Sequence, residues 1–162
     1  MRHTLSILVL LALAPAPNMS AQSSAGSPLE YRNAQYGFCF SLPASWKGYS
    51  IVTEQWEGAP PGSQSFTRGP KLLIRHPNWT EKDPYEDIPI MVFTHAQWQL
   101  VAKEQLIVSA APIGPSELGS NVRYVFALPP RYNFDLATGW QEVDDLIQHK
   151  SLHAPCETRV SQ

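Results

Sequence analysis

Two short runs, IPIMVF at residues 88 to 93 and VRYVFAL at residues 122 to 128, are apolar at almost every position. An extended strand sends successive side chains to opposite faces, so a run that is apolar at both parities belongs in a sheet covered on both sides. Both runs are too short for buried helices. They therefore set the architecture as a layered one, with strands in the middle and something packed on each face.

Other segments have half-buried patterns. In YGFCFSLP, Tyr36, Phe38, Phe40 and Leu42 alternate with Gly37, Cys39 and Ser41, which puts the large side chains on one face of a strand that Pro43 ends. Residues 49 to 56 (YSIVTEQW) and 71 to 76 (KLLIRH) are strands by their β-branched and aliphatic content. Two segments carry helical period behind a capping-box pattern, Thr94 with Gln97 and Thr138 with Gln141. The first helix is expected from about His95 to Gln105, with Trp98, Val101 and Ala102 inward. A second is expected from about Gly139 to Lys150, with Trp140, Val143, Leu146 and Ile147 inward and Glu142, Asp144 and Asp145 in solvent. Between them, residues 111 to 121 hold two Pro and two Gly and read as a long connection, neither helix nor central strand. Four strands, a helix, a strand and a helix give an α+β fold, an antiparallel sheet with helices packed on it.

With 43% hydrophobic and 16% charged residues, five Trp, six Tyr and six Phe, the chain has the make-up of one globular domain. Its start has Arg2, an apolar run from Leu5 to Ala14 and small residues around Ala21, the pattern of a secretory signal peptide over residues 1 to 21. That run is about half the roughly 20 residues a spanning helix needs, so no transmembrane segment is expected after cleavage. The expected organisation is a flexible lead-in at 22 to 30, one α+β domain at 31 to 154 and a C-terminal tail at 155 to 162, in a secreted or periplasmic protein. Acidic residues outnumber basic ones, 14 to 12, and the basic ones are scattered, so nucleic acid is not an expected partner.

Cofactor and nucleophile motifs are absent. There is no G-x-S-x-G, G-x-G-x-x-G or phosphate loop, and Ser116 between Pro115 and Glu117 reads as a turn cap. His149, His153 and Cys156 have helical ligand spacing, but Pro155 and the helix end near Lys150 oppose a continued helix, so no metal site is expected. Chemistry concentrates instead in residues 74 to 94, where Arg75, His76, Trp79, Tyr85 and Asp87 lie together with Glu81. A guanidinium beside an indole and carboxylates can hold a planar or carboxylate-bearing ligand. The reading these residues favour is a structural bridge, Arg75 with Asp87 or Glu81, that pins the loop while Trp79 covers the sheet edge.

The opening YRNAQYGFCFSLPASWKGY resembles the start of domains with the PsbP and Mog1 type of fold. LPASWKGY, IRHPNW, DIPIMVFT, APIGPSELG and YVFALPPRYNF together resemble a family of small exported bacterial proteins of uncharacterised function, over roughly residues 31 to 150. That resemblance implies a sandwich-like α/β/α fold and brings no catalytic residues with it. The leading functional expectation is an exported, non-enzymatic module that binds a small ligand, an envelope component or another protein. The alternative is a small extracytoplasmic enzyme with His76 as base, oriented by Asp87 or Glu81, and Arg75 stabilising charge; a structural or stress-related envelope protein is the third. Export also makes the two cysteines, Cys39 and Cys156, a candidate disulfide, the other outcome being a buried Cys39 and a dangling Cys156.

Overall fold

The computed structural model describes residues 29–156; the signal peptide read at 1 to 21 and the lead-in up to residue 28 lie outside the described residues. The elements in chain order are β1 (Leu29–Asn33), β2 (Phe38–Leu42), β3 (Ser50–Gly58), β4 (Thr67–Arg75), β5 (Ile88–Thr94), α1 (His95–Ala102), β6 (Ser116–Ser120), β7 (Tyr124–Leu128), α2 (Trp140–Gln148) and β8 (Leu152–His153). They form an α+β fold, as the sequence predicts. The strands make two antiparallel sheets, a five-stranded one in the order β3-β4-β5-β7-β6 and a three-stranded one in the order β1-β2-β8.

The doubly apolar runs are β5 and β7, side by side inside the large sheet. On one face, Ile88, Ile90 and Val92 of β5 pack with Phe126, with Phe38 and Phe40 of the small sheet and with Val143 of α2. On the other, Met91, Phe93 and Val125 pack with Trp56 and with Trp98 and Val101 of α1. Each parity thus meets its own layer. Phe38 meets Phe126 with ring centroids 4.8 Å apart, which ties the two sheets at their centre.

Several expectations need correction. There are two sheets rather than one, because LEYRN pairs with β2: Tyr31 turns inward, edge-on to Phe38 at 5.7 Å, while Glu30 and Arg32 form an ion pair outside. Leu29 and Glu30 are therefore strand rather than lead-in. Within residues 111 to 121, Ser116–Ser120 forms an edge strand, with a register irregularity between Glu117 and Gly119. Pro and Gly are tolerated around such an edge. The capping box at Thr94 is present, with Gln97 N bonded to Thr94 Oγ1 and Thr94 N to Gln97 Oε1. The one at Thr138 is not: Gly139, in left-handed conformation at φ 81°, caps α2, and the Thr138 hydroxyl donates to Asp83 at 2.7 Å. Helix α1 stops at Ala102, which is exposed rather than inward.

Cys39 and Cys156 form a disulfide with a Cα separation of 5.0 Å across 117 residues of sequence. The start of the tail is thereby held to the small sheet, where β8 adds two register pairs, Cys39 with His153 and Phe40 with Leu152.

Candidate functional site

Strands β4 and β5 pair with Ile74 opposite Ile88, so the next positions outward are Arg75 and Asp87. The pairing makes their contact a matter of register. Arg75 donates through Nη2 to Asp87 Oδ2 at 2.8 Å and through Nε to Oδ1 at 3.1 Å, a two-pronged bond at 23% and 17% side-chain exposure. Its pKa is raised, first by that bond, against a smaller opposing effect of burial and with help from the charges of Asp87 and Glu54. The guanidinium carbon also lies 3.9 Å from the centre of the Trp79 ring.

His76 belongs to a different set of partners. The turn after β4 closes when Trp79 N donates to His76 O at 3.0 Å, and Asn78 N donates to His76 Nδ1 at 3.1 Å. An accepting Nδ1 carries no proton, so the neutral ring has its N–H at Nε2. The ring is 4% exposed, stacked on Tyr85 at 3.9 Å and edge-on to Trp46 at 4.8 Å. Burial lowers its pKa; the Glu142 charge and the Ser45 backbone pull the other way. The Ser45 backbone is not in hydrogen-bond geometry, and His76 Nε2 and Trp46 Nε1 are buried donors with no partner among the described residues.

Beneath the ring, Glu142 of α2 accepts from Tyr85 Oη at 2.6 Å through Oε2 and from Ser45 Oγ at 2.8 Å through Oε1. Burial, then the Glu142 bond and charge, raise the Tyr85 pKa to about 12. The same loop is joined to the approach of α2 by Glu86 N donating to Thr138 O at 2.8 Å. Close approach is needed there: a Cβ on Gly139 would run into the Tyr85 ring. Alongside, Tyr132 donates to Asp144 at 2.7 Å and has its pKa raised by burial, the Asp144 bond and charge, and Glu86.

The structure thus gathers Arg75, Trp79 and Asp87 into one group and His76 and Tyr85 into another. Neither Asp87 nor Glu81 bonds His76: Asp87 is taken by Arg75, and Glu81 stands exposed. Ser45, Trp46 and Glu142 complete the second group without having been singled out for it. The sequence pattern puts Glu142 on the solvent side of α2, yet it lies four residues before Leu146 and so borders the apolar stripe, the one sequence signal for its inward position. Tyr85 with Glu142 and Glu86 with Thr138 fasten the β4–β5 loop to α2 and its approach, Arg75 with Asp87 ties the two ends of that loop together, and the His76 ring is covered on one face by Tyr85.

At the other end of the β3–β4 hairpin the surface is apolar and open. Ala59 and Ile107 exchange backbone hydrogen bonds of 3.0 and 2.9 Å, bringing the segment after α1 against the end of β3. Around this junction a shallow cleft of about 540 Å³ is lined by Pro60, Pro61, Phe66, Ile107 and Val108. A second of about 230 Å³ shares Ile107, Val108 and Ser109 and runs on to Ile113 and Pro115. Phe66 is 65% exposed, Ile113 59% and Ile107 44%, and the charged residues lining the two clefts are Glu57 and Glu104. A third cleft, about 440 Å³, lies between β6 and the end of α2, with Phe40, Leu118, Ile147 and Lys150 in its wall.

Among the described residues no helix is long and apolar enough to cross a membrane. No family model, no curated protein and no solved structure matches the chain.

Proposed function

We propose that the protein is an exported, non-enzymatic interaction module that binds another protein of the cell envelope through the apolar shoulder around Ile107. The observation that carries this reading is the shoulder itself: two clefts that share residues, with Phe66, Ile107 and Ile113 left in water. Isolated exposed apolar residues are ordinary, whereas a contiguous exposed patch marks a contact surface. With acidic side chains as the only charges among the described residues of its lining, the shoulder suits an apolar protein face whose rim is neutral or basic.

The disulfide supports an oxidising compartment, and with the signal-peptide pattern it supports secretion or a periplasmic location. Membership of the uncharacterised exported family, with a PsbP/Mog1-type fold, is part of the same reading. The fixed partners of His76 and Arg75 favour binding over acid-base chemistry, since a base needs open access to the proton it takes.

The experiment is site-specific photocrosslinking in exporting cells, with the photoreactive residue at Ile107 or, as a control, at Val122, which is 95% exposed on the β6–β7 turn. A discrete crosslinked protein from Ile107, absent from Val122 and lost when Phe66→Ser and Ile113→Ser are added, is the expected result. Crosslinks at both positions alike, or at neither, would sink the reading.

A further inference from the structure

The outer face of the small sheet holds a set of donor atoms that a disulfide now occupies. Residues paired directly across strands, or two apart along one, project from the same face. Cys39 pairs with Arg32 on one side and His153 on the other, and Glu30 pairs with Ser41. Glu30, Arg32, Cys39, Ser41 and His153 therefore share the face opposite Phe38 and Phe40, and Cys156 reaches it through the bridge to Cys39. The two sulfurs and a carboxylate oxygen of Glu30 all lie within 4.8 Å of one another. Arg32 holds Oε1 of Glu30 at 2.6 Å, Oε2 has no hydrogen bond among the described residues, and the His153 imidazole is engaged by the Ser41 hydroxyl at 3.3 Å.

We propose that in the reduced chain Cys39, Cys156 and Glu30 form a binding site for a thiophilic d¹⁰ cation such as Zn²⁺, so that this position is closed either by the disulfide or by a metal. An external dithiol delivers two electrons and two protons to the bridge and becomes a disulfide itself, leaving two thiols. The cation then displaces both thiol protons and takes two thiolates and the carboxylate, with Zn–S distances of about 2.3 Å. An external disulfide restores the bridge by exchange: it takes two electrons from the two thiolates and two protons from solvent, becomes a dithiol, and the ion, having lost both sulfur ligands, is released. The strand pairing supplies what two free cysteines lack: a third donor already placed before the metal arrives.

The test uses the full chain, with Cd²⁺ as a probe whose thiolate bonds give an ultraviolet charge-transfer band. The phosphine-reduced chain is expected to take up one equivalent and the oxidised chain none. Glu30→Gln in the reduced chain should weaken uptake roughly tenfold or more, the scale on which losses around metal sites are felt. Far-ultraviolet circular dichroism checks that each reduced chain is folded, and Cd²⁺ should raise the melting temperature of the reduced wild type more than that of Glu30→Gln. Equal affinity in the two chains, or uptake by the reduced chain that is unchanged in denaturant, would show two thiols acting without a built site and would overturn the proposal.

Discussion

Strand β4 has Phe66 just before its first residue and His76 just after its last, and its nine residues separate them by about 30 Å. Both ends carry aromatic side chains. At the His76 end they are locked: Tyr85 and Trp46 enclose the imidazole, and Glu142 and Asp87 are each held by two donor groups or a two-pronged one. At the Phe66 end the one aromatic ring of the clefts, Phe66 itself, is exposed. The residues that look reactive in a sequence are taken up in closing the β4–β5 loop and, through Tyr85, in holding it to α2, whereas the surface left free to act is built from Pro, Ala, Ile and Val in segments with no chemical signature.

The largest expected effect breaks neither end and tests the frame that holds both. Removing the disulfide by Cys39→Ser with Cys156→Ser releases a loop spanning 117 residues. In the chain-entropy account this costs about 4–5 kcal/mol, measured by urea unfolding. A loss under about 1 kcal/mol would mean that β8 and the tail hold without the bridge, and that the unfolded chain is constrained in some other way.

Next in size are changes at the locked end. Gly139→Ala puts a side chain at φ 81° and against the Tyr85 ring, and Tyr85→Phe leaves a partly buried Glu142 oxygen without its donor. Each is expected to cost about 1–3 kcal/mol. Because both act on the same contact, the double variant should lose less than the sum. Full additivity would show that the loop and α2 are not joined at this point.

How much of this contrast could be read beforehand follows from sequence distance. The Arg75–Asp87 bond was legible because both residues flank strands that pair as neighbours, and the Thr94–Gln97 cap because it lies within one turn. Phe38 and Phe40 were legible from period 2 alone. The Tyr85–Glu142 bond joins residues 57 apart in sequence, and nothing in either segment points to the other. Thr138 shows the same limit from the opposite side: its local pattern promised a cap, but Asp83, 55 residues away, takes the hydroxyl. Strands β1, β6 and β8 were missed because short polar or Pro/Gly-flanked segments become strands only when a neighbour offers an edge. The shoulder had no signal at all, since whether Phe66 is covered depends on where the α1–β6 connection comes to rest.

A pH series sharpens the comparison further. Burial depresses the His76 pKa below its unfolded value, so the unfolded chain binds the proton more tightly, and stability is lost as pH falls through about 6.5. Glu86 acts in the opposite direction: burial, with Asp87 and Asp135 nearby, raises its pKa, so its contribution is fullest at low pH and is lost as pH rises through the folded value. The wild-type curve sums the two. Subtracting the urea midpoints of His76→Gln from those of wild type on either side of pH 6.5 isolates the imidazole, and the difference should shift against wild type on the acid side. A flat difference would mean the ring takes up a proton without leaving its stack.

The smallest effect on stability is expected where the effect on binding should be greatest. Phe66→Ser and Ile113→Ser replace side chains that are 65% and 59% exposed, so little burial is lost and the unfolding midpoint should move by no more than about 0.5 kcal/mol. Ile107→Ser is a stricter case, because its backbone pairs with Ala59 while its side chain is 44% exposed; the backbone bonds survive the change and only part of the side-chain contact goes. If these three variants keep the wild-type midpoint, and Phe66→Ser with Ile113→Ser abolish the crosslink formed at Ile107, the shoulder is a contact surface that folding does not need. If instead they destabilise the protein by 2–3 kcal/mol, the scale of a buried side chain, the apolar cluster belongs to the core. The two ends of β4 would then differ only in chemistry and not in use.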